Sequence, residues 1–486
     1  MDSSAITIVK ANELSSPTYL KEIESLIRKN YNSVAIPAES FPRKDWQQLS
    51  ERGIMLSMIP EEFGGRNSHT ELCDLIELIS KYNLPLGMYT MIITALFIRN
   101  VTKYGSDELK KEVLPLFSSQ ALIGGFALTE PHCGSNLAKM GTTFVKTETG
   151  YQINGQKHWQ AFSITADWWL VAAKSAENEK EYGYFILKRE EGFKNVEEYN
   201  ALGLKAIDYG RNEINAFVPH HRRLNMSSQR LDGAVDMLCA SRLSMCAMAS
   251  GFTSRISEEA LLHAKNRKIG NGTLFNIGYV QYKLRLISAC NIISKALLLY
   301  VKEHNDFREN LIPGFFEAQA VKTLSTDKML ECALNYQQLC GGDGYRYDAP
   351  GNSAAFALLD ARVYTVFDGT NDLLSQQLTE YCIDGSEKGD VKAFLSSYPK
   401  TKDGMKYIDF DLDFLNDNTT QAKRVMNGQV IARIFGMHCL HQAGSQEAEK
   451  PFEYDDLINA VNFLKADIKK IAAEFEILKE CYTNYI

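Results

Sequence analysis

The chain of 486 residues carries 53 lysines and arginines against 60 aspartates and glutamates, which gives a formal net charge of −7. This balance offers no broad positive field for nucleic acid, so DNA or RNA binding is disfavoured. With 45% hydrophobic residues, the chain has the composition of a folded protein, and its length allows about two to four domains. The longest apolar runs, residues 88–98 and 286–301, are too short or are interrupted by Lys295, so we expect no membrane span.

The ten cysteines are scattered and form no C-x-x-C pair. Such spacing disfavours a zinc site and a disulfide framework, and it fits a reducing compartment. The first ten residues lack the basic and apolar stretches of a secretory signal. We therefore expect a cytoplasmic protein with no bound metal, either an enzyme or a large interaction protein.

Residues 1–120 form the first predicted domain, which is helical. Apolar residues recur at three- and four-residue spacings in the segments 23–36 and 71–84, as on one face of a helix. The sequence Ser106-Asp-Glu-Leu109 resembles a helix start, because acidic residues are favourable in the first turn.

Residues 121–235 form the second predicted domain, in which the pattern changes to β-structure. The segment 150–155 is typical of a strand that ends in a tight turn, since Asn154-Gly155 tolerates positive φ. Further short β-like runs cover residues 168–173, 182–187 and 212–218. We expect this β domain to be inserted in an otherwise helical protein.

Residues 236–385 form the third predicted domain and return to a helical pattern, with helices over 236–255, 280–302 and 316–339. A glycine cluster at 341–345 ends the last of these, and another helix begins after Asp368-Gly-Thr-Asn-Asp372. Residues 386–486 form a fourth region. It begins with a polar, acidic segment and continues with helices over 421–442 and 455–482.

Six segments, in register, carry a resemblance that general patterns miss. The segment Phe126-Ala-Leu-Thr-Glu-Pro-His-Cys-Gly-Ser-Asn136 resembles the F-A-L-T-E-P-x-A-G-S-D signature of acyl-CoA dehydrogenases. The other five resemble that family in the same order: Met58-Ile-Pro-Glu-Glu-Phe-Gly-Gly65, Tyr104-Gly-Ser-Asp-Glu-Leu-Lys-Lys111, Tyr151-Gln-Ile-Asn-Gly-Gln-Lys157 with Trp159, Gln338-Leu-Cys-Gly-Gly342 and Phe367-Asp-Gly-Thr-Asn-Asp372. The resemblance covers roughly residues 20–385, and larger relatives carry a C-terminal extension.

The resemblance implies a mainly α fold with a middle β domain. Its parts are an N-terminal helical domain, a β-barrel or sandwich domain and a C-terminal four-helix bundle, here followed by a helical C-terminal extension. The implied cofactor is FAD. The residues implied to contact FAD are Phe126, Leu128, Thr129, Ser135, Trp159, Arg267, Gln338, Gly341, Gly342, Thr370 and Asp372. Those implied to contact substrate are Ser135, Arg242 and Gly369.

The resemblance also implies the reaction, which removes two hydrogens across Cα–Cβ of an acyl thioester. Such a reaction needs a base for the Cα proton and an acceptor for the Cβ hydride. Asp368 occupies the base position, where most members carry Glu. Some relatives place the base at the position of Ser241, which cannot substitute. Aspartate is shorter by one methylene, roughly 1.5 Å, and a misplacement of about 1 Å can slow a reaction about 100-fold.

Further departures surround these motifs. Ser375 stands where the family has an arginine seven residues after the base, and Ala161 and Phe162 replace a flavin-contacting Thr and an Asn. Two interpretations of Asp368 remain open, a catalytic base or a helix N-cap, because Asp before Gly-Thr is a good capping residue. Likewise Arg242 is a substrate contact or a structural ion-pair partner.

The sequence leaves three functions open. The first is FAD-dependent dehydrogenation of an acyl thioester carried on CoA or on an acyl carrier protein. The second is a flavin oxidase of another carbon acid, resembling nitroalkane oxidases, which use Asp as base. The third is a non-catalytic partner subunit or scaffold. The resemblance further implies a homodimer or homotetramer, because FAD sites are shared between subunits, and an electron-transfer flavoprotein or oxygen as electron acceptor.

Overall fold

The computed structural model describes residues 16–31, 43–134, 136–227, 231–445 and 451–481. They divide into two compact units. The first contains the described residues up to Ser244 together with Asp306–Ile312, and the second contains Met245–Asn305 and the described residues from Pro313 onward.

Helices open the first unit, as the spacing of apolar residues predicts. Ser106 caps α6, because its side-chain oxygen accepts a hydrogen bond from the Leu109 N–H at 3.1 Å. A π-helical segment, Ile92–Ile98, joins α4 to α5. The helices are α1 (Ser16–Asn30), α2 (Arg43–Ser50), α3 (His69–Tyr82), α4 (Leu84–Met91), α5 (Arg99–Tyr104) and α6 (Asp107–Ser119).

A curled seven-stranded sheet completes the first unit and confirms the predicted β domain. Its order is β1-β4-β2-β3-β7-β6, with β5 paired to β4. The pairs β1–β4 and β2–β4 are parallel, and the others are antiparallel. The strands are β1 (Gly124–Ala127), β2 (Thr143–Lys146), β3 (Gly150–Ala161), β4 (Trp168–Ser175), β5 (Tyr182–Lys188), β6 (Phe193–Tyr199) and β7 (Tyr209–Pro219).

The predicted turn at Asn154-Gly155 is wrong. Strand β3 runs straight through these residues and pairs with β7 on both sides of them. Gly155 has no positive φ. Its role is a close approach instead, since a Cβ there would lie 2.4 Å from the Thr142 Oγ1 atom.

The second unit is helical. Helices α8, α9, α12, α15 and α16 pack on one another, and α7 begins in the first unit. Helices α13 to α16 form the C-terminal segment that follows Ser386. The elements are α7 (Asp232–Asn266), β8 (Lys268–Ile269), β9 (Gly272–Thr273), α8 (Gly278–His304), α9 (Phe315–Cys340), α10 (Gly342–Tyr345), α11 (Ala354–Tyr364), α12 (Asn371–Gly385), α13 (Val391–Ser397), α14 (Lys402–Met405), α15 (Gln421–Gly444) and α16 (Tyr454–Cys481).

Among the residues that the structure describes, two helical stretches are long and apolar enough to cross a membrane by composition alone. They are Leu84–Tyr104, whose most apolar window is 100% buried inside the protein, and Gly278–His304, whose window is 67% buried. Burial of this extent is also what core helices show, so the two stretches are weak indicators of a membrane span.

Candidate functional site

The segment that follows β1 has its carbonyl groups held by residues of β3. The Lys157 ammonium donates to the Leu128 carbonyl at 3.0 Å. The Thr129 carbonyl accepts from the His158 N–H at 3.0 Å and from the Gln160 amide at 3.1 Å. These bonds from β3 hold the carbonyl groups after β1 in place.

Glu130 anchors the other end of this segment. Its carboxylate accepts from the Lys157 ammonium at 2.8 Å and from the backbone N–H groups of Thr142 and Gly141. Burial raises the pKa of Glu130, but the Lys157 charge and these hydrogen bonds outweigh burial and hold that pKa below its usual value. Lys157 is fully buried, so the pair fixes both the carboxylate and the Leu128 carbonyl.

The chemistry of this segment fits a flavin. Within the described parts of the chain, nothing accepts a hydrogen bond from the N–H of Leu128 or Thr129. Leu128 is nevertheless buried, and a buried N–H without a partner is unfavourable. Two adjacent amide donors suit the carbonyl oxygens and nitrogens of a flavin ring. Phe126 lies within β1, where it pairs with Leu170.

Trp159 has an unusual backbone and an exposed ring. It lies in a bulge, where the register between β3 and β7 shifts, and its φ is +59°. The bulge redirects the indole, which is 54% exposed and packs beside Tyr199 at 4.7 Å between ring centroids. An exposed aromatic ring next to the Thr129 segment is suited to cover a flat cofactor.

The two departures beside Trp159 have different structural outcomes. Phe162 is completely buried and packs against Tyr89 at 4.2 Å between ring centroids. It is therefore a core residue that holds the end of β3. Ala161 pairs with Tyr209 across the sheet and has no side-chain hydroxyl to offer a cofactor.

One of the predicted substrate contacts, Arg242, lies in the first unit. Arg242 is buried on α7, next to the buried Ser241. Ser135, in the signature segment, lies outside the described residues.

The candidate base lies in a left-handed turn of the second unit. Asp368 has φ +56° and Gly369 has φ +90°. A left-handed conformation is unfavourable for a non-glycine residue, and such strain is concentrated at functional sites. Thr370, rather than Asp368, caps α12, because its hydroxyl accepts from the Leu373 N–H at 3.3 Å. The N-cap interpretation of Asp368 is therefore wrong.

The turn is fixed by backbone and side-chain bonds. The Asn371 N–H donates to the Thr365 carbonyl at 3.1 Å. The ammonium of Lys322, a fully buried residue of α9, donates to the Gly369 carbonyl at 2.8 Å. Sequence reasoning missed Lys322, because a lysine within a helical pattern carries no signal of its contacts. Asp372 is exposed in the first turn of α12.

Arg267 and the glycine pair form a second cluster in this unit. The Arg267 guanidinium donates to the Cys340 carbonyl at 3.0 Å. Gly341 has φ +63°, and a Cβ there would lie 3.4 Å from that guanidinium. Gly342 has open space where a Cβ would be, and Gln338 is exposed. An exposed cation beside uncovered backbone suits an anionic group such as a pyrophosphate.

Ser375 is small because α15 packs directly on it. Ser375 is completely buried. A Cβ on Gly428 of α15 would lie 1.8 Å from the Ser375 carbonyl oxygen. An arginine side chain at position 375 would have to displace this helix. The C-terminal segment thus occupies the space next to α12.

Comparison with known proteins decides the family. Models of the acyl-CoA dehydrogenase N-terminal, middle and C-terminal domains match residues 20–121, 125–216 and 232–381. The chain belongs to the acyl-CoA dehydrogenase superfamily. Its predicted fold class is confirmed, and the protein is a flavin oxidoreductase of the type that acts on CH–CH bonds. The predicted cofactor, FAD, is the cofactor of the family.

The relatives are distant. An acyl-CoA dehydrogenase of Bacillus subtilis is 27% identical over 359 residues, which are 72% of this chain and 92% of that protein. The human very long-chain specific mitochondrial acyl-CoA dehydrogenase is 25% identical over 373 residues, 73% of this chain and 56% of that protein. An acyl-CoA dehydrogenase from Bacillus anthracis, solved in complex with FAD, has a TM-score of 0.79 at 17% identity. That comparison covers 98% of this chain and 91% of the other, so the shared fold includes the C-terminal segment.

Proposed function

We propose that this protein is an FAD-dependent dehydrogenase that removes two hydrogens across Cα–Cβ of an acyl thioester, with Asp368 as the base. The observation that carries the proposal is the turn 367–371. In this turn Asp368 lies at the family's base position and has a left-handed backbone conformation. The N-cap of α12 is Thr370. A carboxylate carried by a strained backbone turn at this position is suited to chemistry.

Each of the proposed site residues has its own role in the reaction. The Asp368 carboxylate removes the Cα proton of the thioester, and a negative charge then develops on the thioester oxygen. FAD, when bound, accepts the Cβ hydride. Gly369 and Arg242 contact the substrate, as does Ser135. The shorter reach of Asp368 is compensated by the backbone of its turn.

We further propose how the cofactor is held. The N–H groups of Leu128 and Thr129 bind the flavin ring, and Trp159 covers it. Arg267 binds the pyrophosphate next to Gly341. The remaining proposed FAD contacts are Phe126, Ser135, Gln338, Gly342, Thr370 and Asp372. Sites of this kind are shared between subunits in the family, which supports a homodimer or homotetramer.

We also propose a cytoplasmic location for the protein and a division of the chain into four regions. We assign helical, β, helical and extension regions to residues 1–120, 121–235, 236–385 and 386–486. The proposed electron acceptor is an electron-transfer flavoprotein or oxygen.

The decisive experiment replaces Asp368 by asparagine in the FAD-loaded protein. Anaerobic flavin bleaching is followed with butyryl-, octanoyl- and palmitoyl-CoA and with the corresponding acyl-carrier-protein thioesters. Asp368→Asn should bind FAD normally and abolish bleaching, because an amide does not accept the proton. Asp384→Asn, an exposed aspartate on α12, is the matched control and should bleach as the wild type does.

Each other outcome favours a different function. Bleaching by Asp368→Asn at the wild-type rate would show that another group is the base. A wild type that no thioester bleaches, but that turns over a nitroalkane in air, would make the protein a carbon-acid oxidase. A protein that does not take up FAD would be a non-catalytic subunit.

A further inference from the structure

A buried lysine and a buried asparagine hold the turn that carries Asp368. The Lys322 ammonium donates to the Gly369 carbonyl and to the Asn371 Oδ1 atom, both at 2.8 Å. Asn371 is buried as the first residue of α12. The two residues therefore set the path of the backbone immediately after Asp368.

Asn371 is in turn oriented by a carboxylate of α9. Its amide nitrogen donates to the Asp327 Oδ1 atom at 2.7 Å and to the Thr326 hydroxyl at 3.0 Å. The charged acceptor fixes which way the amide points, because only the nitrogen of an amide donates. The amide oxygen is thereby presented to Lys322.

The other oxygen of Asp327 is bound from the C-terminal segment. Arg433 of α15 donates from Nη2 to the Asp327 Oδ2 atom at 3.2 Å. Its Nε donates to the Asp467 Oδ2 atom of α16 at 3.3 Å, and Lys328 reaches the same oxygen at 2.6 Å. One chain of polar contacts thus runs from Gly369 through α9 to α15 and α16, and its two carboxylates, Asp327 and Asp467, are partly exposed.

Close packing joins the same elements. Gly428 of α15 lies against the Ser375 carbonyl of α12, with no space for a Cβ. Gly436 of α15 lies against the Leu324 side chain of α9, 2.4 Å from where its Cβ would be. Helix α15 is therefore held close to both helices that carry the polar chain, which keeps Arg433 at its distance from Asp327.

We propose that Arg433 is a positioning residue for the candidate base, acting through Asp327, Asn371 and Lys322 on the Gly369 carbonyl. The inference rests on the proposed role of Asp368. A strained left-handed residue persists only where its surroundings over-determine it. Without Arg433, the Asp327 carboxylate loses its cation and holds the Asn371 amide less firmly. The base turn then relaxes, and a shift of about 1 Å is enough to slow proton removal about 100-fold.

The test compares Arg433→Met, Arg433→Lys and Leu464→Ala in the full-length, FAD-loaded protein. Leu464 is completely buried on α16 and has no polar group, so its truncation loosens the C-terminal segment without touching the polar chain. Single-turnover flavin bleaching by the most reactive of the six thioesters gives the limiting rate and the half-saturating concentration. Hydrogen–deuterium exchange of residues 366–371 is measured on resting protein.

Arg433→Met should lower the limiting rate about 10- to 100-fold, leave half-saturation within about twofold and speed exchange in the turn. Arg433→Lys should recover part of the rate. It also tests the role of Arg433 if Arg433→Met does not fold. Leu464→Ala should lower the melting temperature and leave rate and turn exchange unchanged. Asp327→Asn combined with Arg433→Met should be no slower than the worse single variant, since both break one chain.

A wild-type rate in Arg433→Met, or an equal loss of rate in Leu464→Ala, would overturn the positioning role while Asp368→Asn remains inactive. Bleaching by Asp368→Asn, or a wild type that no thioester bleaches, would overturn the proposed function itself. The inference would fall with it.

Discussion

Two segments that carry predicted site residues, one in the first unit and one in the second, are each held by a fully buried lysine, but by different means. Lys157 binds the Leu128 carbonyl and a carboxylate, Glu130, that lies in the same signature segment. Lys322 binds the Gly369 carbonyl and a neutral amide, Asn371. The first arrangement is local, whereas the second continues through Asp327 to the C-terminal segment. We therefore expect that the proposed FAD binding at the Leu128 segment and the proposed placement of Asp368 can be disturbed separately.

Replacing each of the two lysines by methionine should have the largest effects on FAD binding and on flavin bleaching. Lys157→Met leaves a buried carboxylate unpaired, which costs about 3–5 kcal/mol, and should abolish FAD binding. Lys322→Met should retain FAD and slow flavin bleaching about 100-fold. FAD titration by absorbance and anaerobic stopped-flow measurements separate the two effects. Lys111→Met, an exposed lysine on α6, is the control. Equal loss of FAD in both variants would contradict the separation.

Gly428→Ala should show how strongly the chain of contacts from Lys322 to the C-terminal segment depends on the close packing of α15. The added methyl would meet the Ser375 carbonyl at 1.8 Å, and overpacking of this kind destabilises by about 1–3 kcal/mol. Gly444→Ala in the same helix meets only the tip of the Leu457 side chain, at 2.9 Å. Urea unfolding should therefore find Gly428→Ala less stable than Gly444→Ala, and equal stabilities would mean that the two helices adjust freely.

Low pH should weaken the chain of contacts from Lys322 to α16, because it protonates Asp467. Burial raises the pKa of Asp467, but Lys328 and Arg433 outweigh it and hold that pKa below its usual value. The resulting stability is present above the unfolded pKa of about 3.9 and is lost as pH falls through the folded pKa. The unfolding free energy of the wild type should exceed that of Asp467→Asn by about 1–3 kcal/mol at pH 7, and the gap should shrink below about pH 4.

If the difference in unfolding free energy between the wild type and Asp467→Asn does not change with pH, the ionisation of Asp467 does not stabilise the protein. Asp455→Asn, an exposed aspartate on the same helix, should show no comparable gap at any pH.

The smallest expected effect concerns the first arrangement. Ala161→Thr restores the hydroxyl that the family has beside the flavin. One added hydrogen bond contributes about 0.5–1.5 kcal/mol, so the dissociation constant for FAD should fall about two- to tenfold. Ala161→Val has nearly the same shape without the hydroxyl and should bind FAD as the wild type does. Equal tightening by valine would indicate packing rather than a hydrogen bond.

Several features that depend on neighbouring residues could be predicted from the sequence. The apolar spacing predicts α8, α9 and α15 to within a few residues, and Ser106 caps α6 as expected. Six motifs in register were enough for the family and the fold class. Local patterns succeed here because capping, periodicity and signature segments involve residues close in the chain.

Only the tertiary structure decided which distant residues meet. Asn154-Gly155 has the composition of a turn, yet Gly155 lies within β3, which pairs with β2 and β7, and Thr142 approaches it too closely for a side chain. Arg433 and Asp327 are 106 residues apart in the chain, and Lys328 and Asp467 are 139 apart. No local pattern pairs such charges, since their contact follows from how α9, α15 and α16 pack. A sequence motif marks the turn at Asp368, which stays the predicted base position, but no local pattern marks Lys322, Asp327 or Arg433.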